Sequence, residues 1–170
     1  MLRQDLRQGE LDIVVGLASA APPDARHQWS EEMVWVRGPR IPCNEDDRIP
    51  LVSLGESCVA HRVAVEALNK CRRTHETVYV SSGTMSVAAA ISAGLGIMAV
   101  ARSRSGIRGL MVWEDGPLPK LSDIYCGIFI REDGDRIALE QPADAICDTL
   151  QPQSIPRLTK RQESPATIST

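Results

Sequence analysis

The pentapeptide LGESC contains the residue types of a nucleophilic site. Gly55 and Ser57 match the first half of the G-x-S-x-G elbow, which presents a hydrolase serine between a strand and a helix, but a valine occupies the place of the second glycine. The available bases are His61, on the same predicted helix, and His75, in a polar loop. We therefore favour Ser57 as a helix N-cap over a serine hydrolase, and we predict no catalytic residue and no enzyme.

Cys58 raises a second possibility, because a thiol at a helix N-terminus can be activated as a nucleophile. We favour the interpretation that it is a small, buried residue. The chain contains no CxxC pair and no Cys/His cluster, which argues against a zinc site, so we predict no metal and no cofactor. Reduced thiols are typical of a bacterial cytosol. The five cysteines are Cys43, Cys58, Cys71, Cys126 and Cys147.

Two predicted helices begin directly after strands, one at Ser57 and one near Ser82, Gly83 and Thr84. Each helix N-terminus has free backbone N–H groups and a partial positive charge. Ligands of open α/β sheets bind at the carboxyl ends of the strands. These positions therefore predict binding of a small anionic molecule without chemical conversion. The alternative is that the Ser and Thr side chains only cap their helices.

The stretch AGLGIMA, at residues 93–99, contains two glycines but does not match a dinucleotide-binding loop. It leaves a helix and enters a strand, whereas the phosphate cradle needs the reverse order. We interpret Gly94 as a helix C-cap and Gly96 as part of a tight turn.

The elements that must position these residues alternate strand and helix, which predicts an α/β fold with a parallel sheet and right-handed crossovers. The first helix has an apolar stripe on one face, and the second is apolar nearly all round, which predicts deep burial. In chain order the predicted elements are the strand LVSL, a helix over 58–72, the strand ETVYV, a helix over 84–93 and the strand GIMAVA.

Shorter elements flank this run on both sides. The opening LRQDLRQG is typical of a helix that is closed by Gly9. The segment SDIYCGIFI is apolar on both faces, as a central parallel strand requires. The other predictions are a strand that ends at Gly16, a loop APPDARHQW, the strands MVWV and LMVW, a linker RIPCNEDDRIP, a helix QPADAICDTL with Pro142 in its first turn, and a disordered tail over 151–170.

Composition excludes several classes of function. The net charge of −3 is spread without a basic patch, which argues against nucleic-acid binding by this chain. No apolar run approaches the ~20 residues that a membrane helix needs. The charged N-terminus does not resemble a signal peptide. We expect a soluble cytoplasmic protein without membrane contact.

Two motifs now identify a family. The segments LRQGELDIVVGL and SSGTMSVAAAISAGLGIMAVARS, with IPLVSLGESC between them, resemble the effector-binding domain of LysR-type transcriptional regulators. The resemblance covers roughly residues 1–150. It implies a two-lobed, periplasmic-binding-protein-like (type 2) α/β fold with mixed sheets. Residues 1–39 and 110–150 would form the first lobe, residues 49–102 the second lobe, and MVWV and LMVW the hinge.

The resemblance also implies a small-molecule effector between the lobes, and a homo-oligomer whose arrangement the effector shifts. The positions that match the family's effector contacts are Gly16, Leu17, Ala18, Ser53, Gly55, Glu56, Ser57, Ser82, Gly83 and Thr84.

The chain departs from the family pattern in two ways. The winged helix-turn-helix that would contact DNA is absent from these 170 residues, so we expect no operator binding by this chain alone. The initial strand–helix–strand of the first lobe is also missing, which would leave sheet edges to be covered by self-association. The alternative function is a stand-alone solute-binding or interaction module without a transcriptional role.

Overall fold

The computed structural model of the protein describes residues 2–40, 48–132 and 136–151. Most of the predicted linker and nearly all of the predicted disordered tail lie outside the described residues, as does Cys43. Within the described part, the helices and strands are α1 (Leu2–Arg7), β1 (Ile13–Ala18), β2 (His27–Glu31), β3 (Met33–Arg37), β4 (Ile49–Ser53), α2 (Val59–Lys70), β5 (His75–Val80), α3 (Thr84–Ser92), β6 (Met98–Ala101), a 3-10 turn (Arg102–Arg104), β7 (Met111–Val112), β8 (Ile124–Ile130) and α4 (Arg136–Leu150).

The first sheet has the strand order β1-β8-β2, and both pairings are antiparallel. The segment SDIYCGIFI is therefore central, as predicted, but the prediction of parallel neighbours was wrong. Strand β1 continues past Gly16 to Ala18. The predicted loop APPDARHQW was wrong at its end, because residues 27–29 open β2. The two buried side chains of β2 are Trp29 and Glu31. Because one of them is acidic, the sequence does not show the alternation of apolar and polar residues that is typical of a strand.

The second sheet has the order β6-β3-β7, also antiparallel, while β4 and β5 form a parallel pair. The predicted parallel β4–α2–β5 unit is thus confirmed, but β6 does not extend it as a full third strand. A single parallel bridge between Leu51 and Ile97 joins the two sheets. Strand β6 instead uses its hydrogen bonds on β3, because the chain turns away from β4 after this bridge.

The apolar stripe of α2 packs as predicted. Its side chains contact the strands in a core that includes Ile49, Leu51, Ile97 and Ile124, all at most 1% exposed. Burial of this stripe positions the N-terminus of α2 at the carboxyl end of β4. The buried residues of α2 are Ala60, Val63, Ala64, Ala67 and Leu68.

Helix α3 is buried on one face only, which corrects the prediction of deep burial. Val87 and Ile91 pack against Val36 and Val52. On the other side Met85 is 80% exposed. The helix lies across the junction of two sheets and is covered from one side only. At its C-terminus Gly94 has a φ of +85° and donates its N–H to the Ile91 carbonyl over 2.9 Å, so the predicted glycine cap is confirmed.

Helix α4 covers the first sheet. Ala143 and Cys147 pack against Trp29, Cys126 and Ile128. The helix begins at residue 136, so Pro142 lies inside it and not in its first turn. Pro142 is exposed. The prediction started the helix too late because the apolar periodicity is weak before the proline.

Candidate functional site

A cavity of about 310 Å³ lies between α3, β6 and the loop before β7. We call it the main cavity. Its walls come from α2, α3, β6, the loop before β7, and single residues of β1, β2, β3 and β8. Most of the lining is apolar, and it includes Leu54, Val87, Ala88, Ile91, Met98 and Leu110. Its size places it at the lower end of small-molecule sites, which span ~300–1000 Å³.

Glu31 contributes a carboxylate to the wall of the main cavity. It is only 3% exposed, although it is an acidic residue. The Trp29 indole Nε1–H donates to its Oε1 over 2.9 Å, and the Ser103 hydroxyl donates to its Oε2 over 2.7 Å. These two neutral donors fix the carboxylate between the end of β2 and the turn after β6.

Three further polar or reactive side chains line the main cavity: Cys58, Thr84 and Arg104. Cys58 is half-buried at the N-terminus of α2, and Thr84 is the first residue of α3. Arg104 is exposed, at the end of the 3-10 turn. Across the described residues, Arg104 makes no hydrogen bond and no ion pair.

A narrow recess of about 10 Å³ adjoins the main cavity and shares four lining residues with it: Leu54, Cys58, Met98 and Ala99. Its wall includes Ser53 and His61. Partial burial, and then the nearby His75, hold the pKa of His61 below its ordinary value of 6.5. His61 is therefore neutral at pH 7, which suits an apolar wall.

Of the ten predicted effector residues, two line the main cavity, and Leu54, which is not among the ten, lines it from the turn after β4. Leu17 comes from the segment 16–18, Leu54 from the segment 53–57 and Thr84 from the segment 82–84. Gly16 and Ala18 lie beside Leu17 in β1.

The remaining predicted residues do not line the main cavity. Ser53 is buried, and its hydroxyl bonds the N–H of Gly55 over 3.0 Å within the turn after β4. Glu56 and Ser57 are exposed in that turn. Ser82 and Gly83 are exposed before α3.

The predicted N-cap at Ser57 was wrong, and no Ser or Thr side chain caps α3 either. The N-cap of α2 is Cys58 and not Ser57, and the N-cap of α3 is Gly83; neither helix has a side-chain cap. The Ser81 hydroxyl instead accepts the N–H of Gly83 over 3.2 Å. Both helices therefore begin with backbone N–H groups that no capping side chain occupies.

No nucleophile–base pair is assembled within the residues that the structure describes. Ser57 has no hydrogen bond to a histidine there, and His75 bonds the Asn69 side chain over 3.1 Å. Nor do the described ranges contain a group of three or more His, Cys, Asp or Glu residues that could hold a metal ion.

Two ion-pair clusters lie outside the main cavity. Arg26, just before β2, donates to both oxygens of Asp144 in α4 over 3.0 and 3.2 Å, and this contact lowers the pKa of the carboxyl. Arg102 pairs with Glu32 and Glu114 over 2.7 and 2.8 Å, which ties the turn after β6 to the residue between β2 and β3 and to the segment after β7. Both clusters hold the elements around Glu31 in place.

Sequence reasoning missed Glu31 and Arg104 as cavity residues. The segment HQWSEE places a tryptophan and a glutamate two residues apart, so both face the same side of a strand. That spacing was the available signal for a buried, hydrogen-bonded glutamate. Nothing in the sequence around Arg104 distinguishes it from its arginine neighbours.

Residues 1–140 of the chain match the family model for the LysR substrate binding domain. The chain belongs to this family. LysR substrate binding domains have a periplasmic-binding-protein-like type 2 fold, and this chain has the expected mixture of helices with several sheets. The predicted family and fold class are confirmed.

Solved structures show the same fold. The chain is similar to the reduced form of the regulatory domain of OxyR2 from Vibrio vulnificus, with a TM-score of 0.60 and 16% identity over 88% of this chain and 76% of that one. The chain is also similar to the regulatory domain of HypT from Salmonella typhimurium with bromide bound. The TM-score is 0.62 and the identity 14%, over 88% of this chain and 78% of that one. For the regulatory domain of Synechocystis CcmR in complex with 2-PG, the TM-score is 0.57 and the identity 12%, over 89% of this chain and 79% of that one.

No curated protein sequence matches the chain. In the described part of this LysR substrate binding domain, no helix has the length and apolar character to cross a bilayer.

Proposed function

We propose that the chain is the ligand-sensing regulatory domain of a LysR-type transcriptional regulator, and that its effector binds in the main cavity. The observation that carries this proposal is the meeting of two predicted effector residues, Leu17 and Thr84, on one largely apolar cavity, which Leu54 also lines. Pockets of this kind, with a few convergent polar groups, are the usual small-molecule sites of proteins.

The proposed lobes meet at the same cavity. Leu17 and Leu110 belong to the proposed first lobe (1–39 and 110–150), whereas Ala60, Ala88 and Met98 belong to the proposed second lobe (49–102). A ligand that contacts both lobes stabilises one relative arrangement of them over others. The predicted hinge strands, MVWV and LMVW, would transmit this change.

The proposal extends to partners and location. The effector is bound and released without chemistry, the domain is not an enzyme, and it forms a homo-oligomer in the cytoplasm. DNA contact is left to a winged helix-turn-helix outside these 170 residues. The ligands named for CcmR and HypT, 2-PG and bromide, support small-ligand binding in this fold. The other predicted residues around the turns, such as Gly55, Glu56 and Ser82, are proposed to border the entrance.

The test is a thermal-shift screen of small metabolites against the purified chain and a blocked variant. Ala88→Trp fills the main cavity from its buried wall, and Ala89→Trp adds the same side chain on the exposed side of α3. We expect at least one compound to raise Tm in the native chain and in Ala89→Trp, but not in Ala88→Trp.

If Ala88→Trp does not fold, Leu110→Trp blocks the same cavity from the loop before β7, where the residue is only half-buried. A screen in which no compound distinguishes the blocked variant from the control would refute the proposed site.

A further inference from the structure

Two opposite charges lie on the wall of the main cavity and are not joined to each other. Glu31 and Arg104 both line it, yet no ion pair connects them in the described part of the chain. The only partners of the Glu31 carboxylate there are the neutral donors of Trp29 and Ser103.

A carboxylate as buried as Glu31 costs free energy unless a cation or strong donors compensate for its lost hydration. Two neutral hydrogen bonds offset part of this cost, but a carboxylate can accept about four. A ligand with an ammonium group would supply the missing positive charge. An anionic ligand near Glu31 would add repulsion, and a pure hydrocarbon would leave the charge uncompensated.

Arg104 lacks an anionic partner, as Glu31 lacks a cationic one. Its guanidinium is unpaired among the described residues and borders the same cavity, and it offers a fork of donors that fits a carboxylate. The remaining wall is apolar, so the body of a ligand must be apolar as well. Phosphate esters and sugars carry more polar groups than this lining can satisfy.

We infer that the main cavity binds a small zwitterion with an apolar body, of which the apolar α-amino acids are the simplest members. The ammonium group contacts Glu31, the carboxylate contacts Arg104, and the side chain packs against Val87, Ala88 and Met98. This inference rests on the proposed function, and it replaces the small anion expected from the helix N-termini by a ligand with both charges.

The first experiment measures binding of L-valine, L-leucine, L-isoleucine, L-methionine and L-phenylalanine to the purified chain by calorimetry. Three analogues of leucine each remove one feature: 4-methylpentanoate lacks the ammonium, 3-methylbutylamine lacks the carboxylate, and L-asparagine has a polar side chain of similar shape. We expect at least one of the five amino acids to bind. Each analogue, or its counterpart for the amino acid that binds, should bind at least about tenfold more weakly, which corresponds to about 1.4 kcal/mol.

Variants then assign each charge. Arg104→Met should weaken binding of the amino acid, and it should remove the preference for the amino acid over the amine that lacks a carboxylate. Arg108→Met, in the same loop but not on the cavity, is the matched control and should bind normally. Glu31→Gln should remove the preference for the amino acid over the carboxylic acid that lacks an ammonium group. Because Glu31 is buried, this variant can fail to fold, whereas Arg104 is exposed and its replacement leaves the core unchanged.

The outcomes separate the two proposals. If none of the five amino acids binds, but the metabolite screen yields a ligand that Ala88→Trp excludes, the zwitterion inference is overturned and the proposed function stands. If the amino acid binds equally to Ala88→Trp, the main cavity is not the site, and both are overturned. Equal binding of leucine and 4-methylpentanoate by the native chain also refutes the role of Glu31.

Discussion

A Cβ atom placed on Gly96 would lie 2.5 Å from the carbonyl oxygen of Pro50. That oxygen accepts the N–H of Ile97 over 2.9 Å, next to the bridge that joins β4 to the start of β6. The two backbones approach so closely at Gly96 that no larger residue fits without moving one of them. This contact links the β4–β5 pair to the strand that lines the main cavity.

Gly96→Ala is therefore expected to destabilise the domain. The added methyl group meets backbone atoms that cannot rotate away, and overpacking of this kind typically costs about 1–3 kcal/mol. Urea unfolding followed by tryptophan fluorescence would measure the loss in the free energy of unfolding. Gly106→Ala is the matched control, because no atom lies within 4 Å of the added Cβ at that position. An equal effect of the two substitutions would contradict the close contact.

Acid is expected to weaken the domain through His61. Partial burial, and then the like charge of His75, lower its pKa in the folded state, while Glu56 acts in the opposite direction. The unfolded chain takes up this proton near pH 6.5 and the folded chain only at a lower pH. The stabilisation is thus complete above pH 6.5 and is lost as the pH falls through the folded pKa.

Histidine NMR titration and urea unfolding at pH 7.5 and 5.5 check this prediction. His61→Gln should reduce the loss of stability between these two values. His75→Gln, which removes the second cause, should move the His61 pKa part of the way back toward 6.5. A titration of His61 at or above 6.5 in the native chain would show that its surroundings do not disfavour the charged form.

The cysteines are expected to differ in reactivity toward a thiol reagent such as DTNB. Cys126 is fully buried and Cys147 is 7% exposed, and burial raises the pKa of both thiols. Cys71 is exposed. At pH 7.5 we expect Cys71 to react in the fast phase and the two buried thiols to react only as fast as the chain opens.

Replacing Cys43 by serine in every sample keeps the count of reactive thiols interpretable. In that background Cys71→Ser should remove one fast equivalent, and Cys126→Ser should remove none. Loss of a fast equivalent in Cys126→Ser would mean that the contact between α4 and the first sheet opens readily.

The sequence alone determined the local elements and the family. The stripe from Ala60 to Leu68 predicts both a helix and its buried face, because contacts between residues three and four apart are encoded within one turn. Gly94 marks the end of α3 for an equally local reason, the positive φ of a helix cap. The segments LRQGELDIVVGL and SSGTMSVAAAISAGLGIMAVARS were sufficient to identify the family.

Tertiary structure decided the partners of the strands and the chemistry of the cavity. The local sequence of β6 fits a third parallel strand beside β4 as well as an antiparallel neighbour of β3. Strand pairing depends on contacts between residues far apart in the chain, so the sequence of β6 alone does not decide it. The burial of Glu31 depends in the same way on β8 and on Ser103, 72 residues away. Whether a charged residue faces solvent or a ligand is settled by what covers it, and that covering exists only once the sheets have assembled.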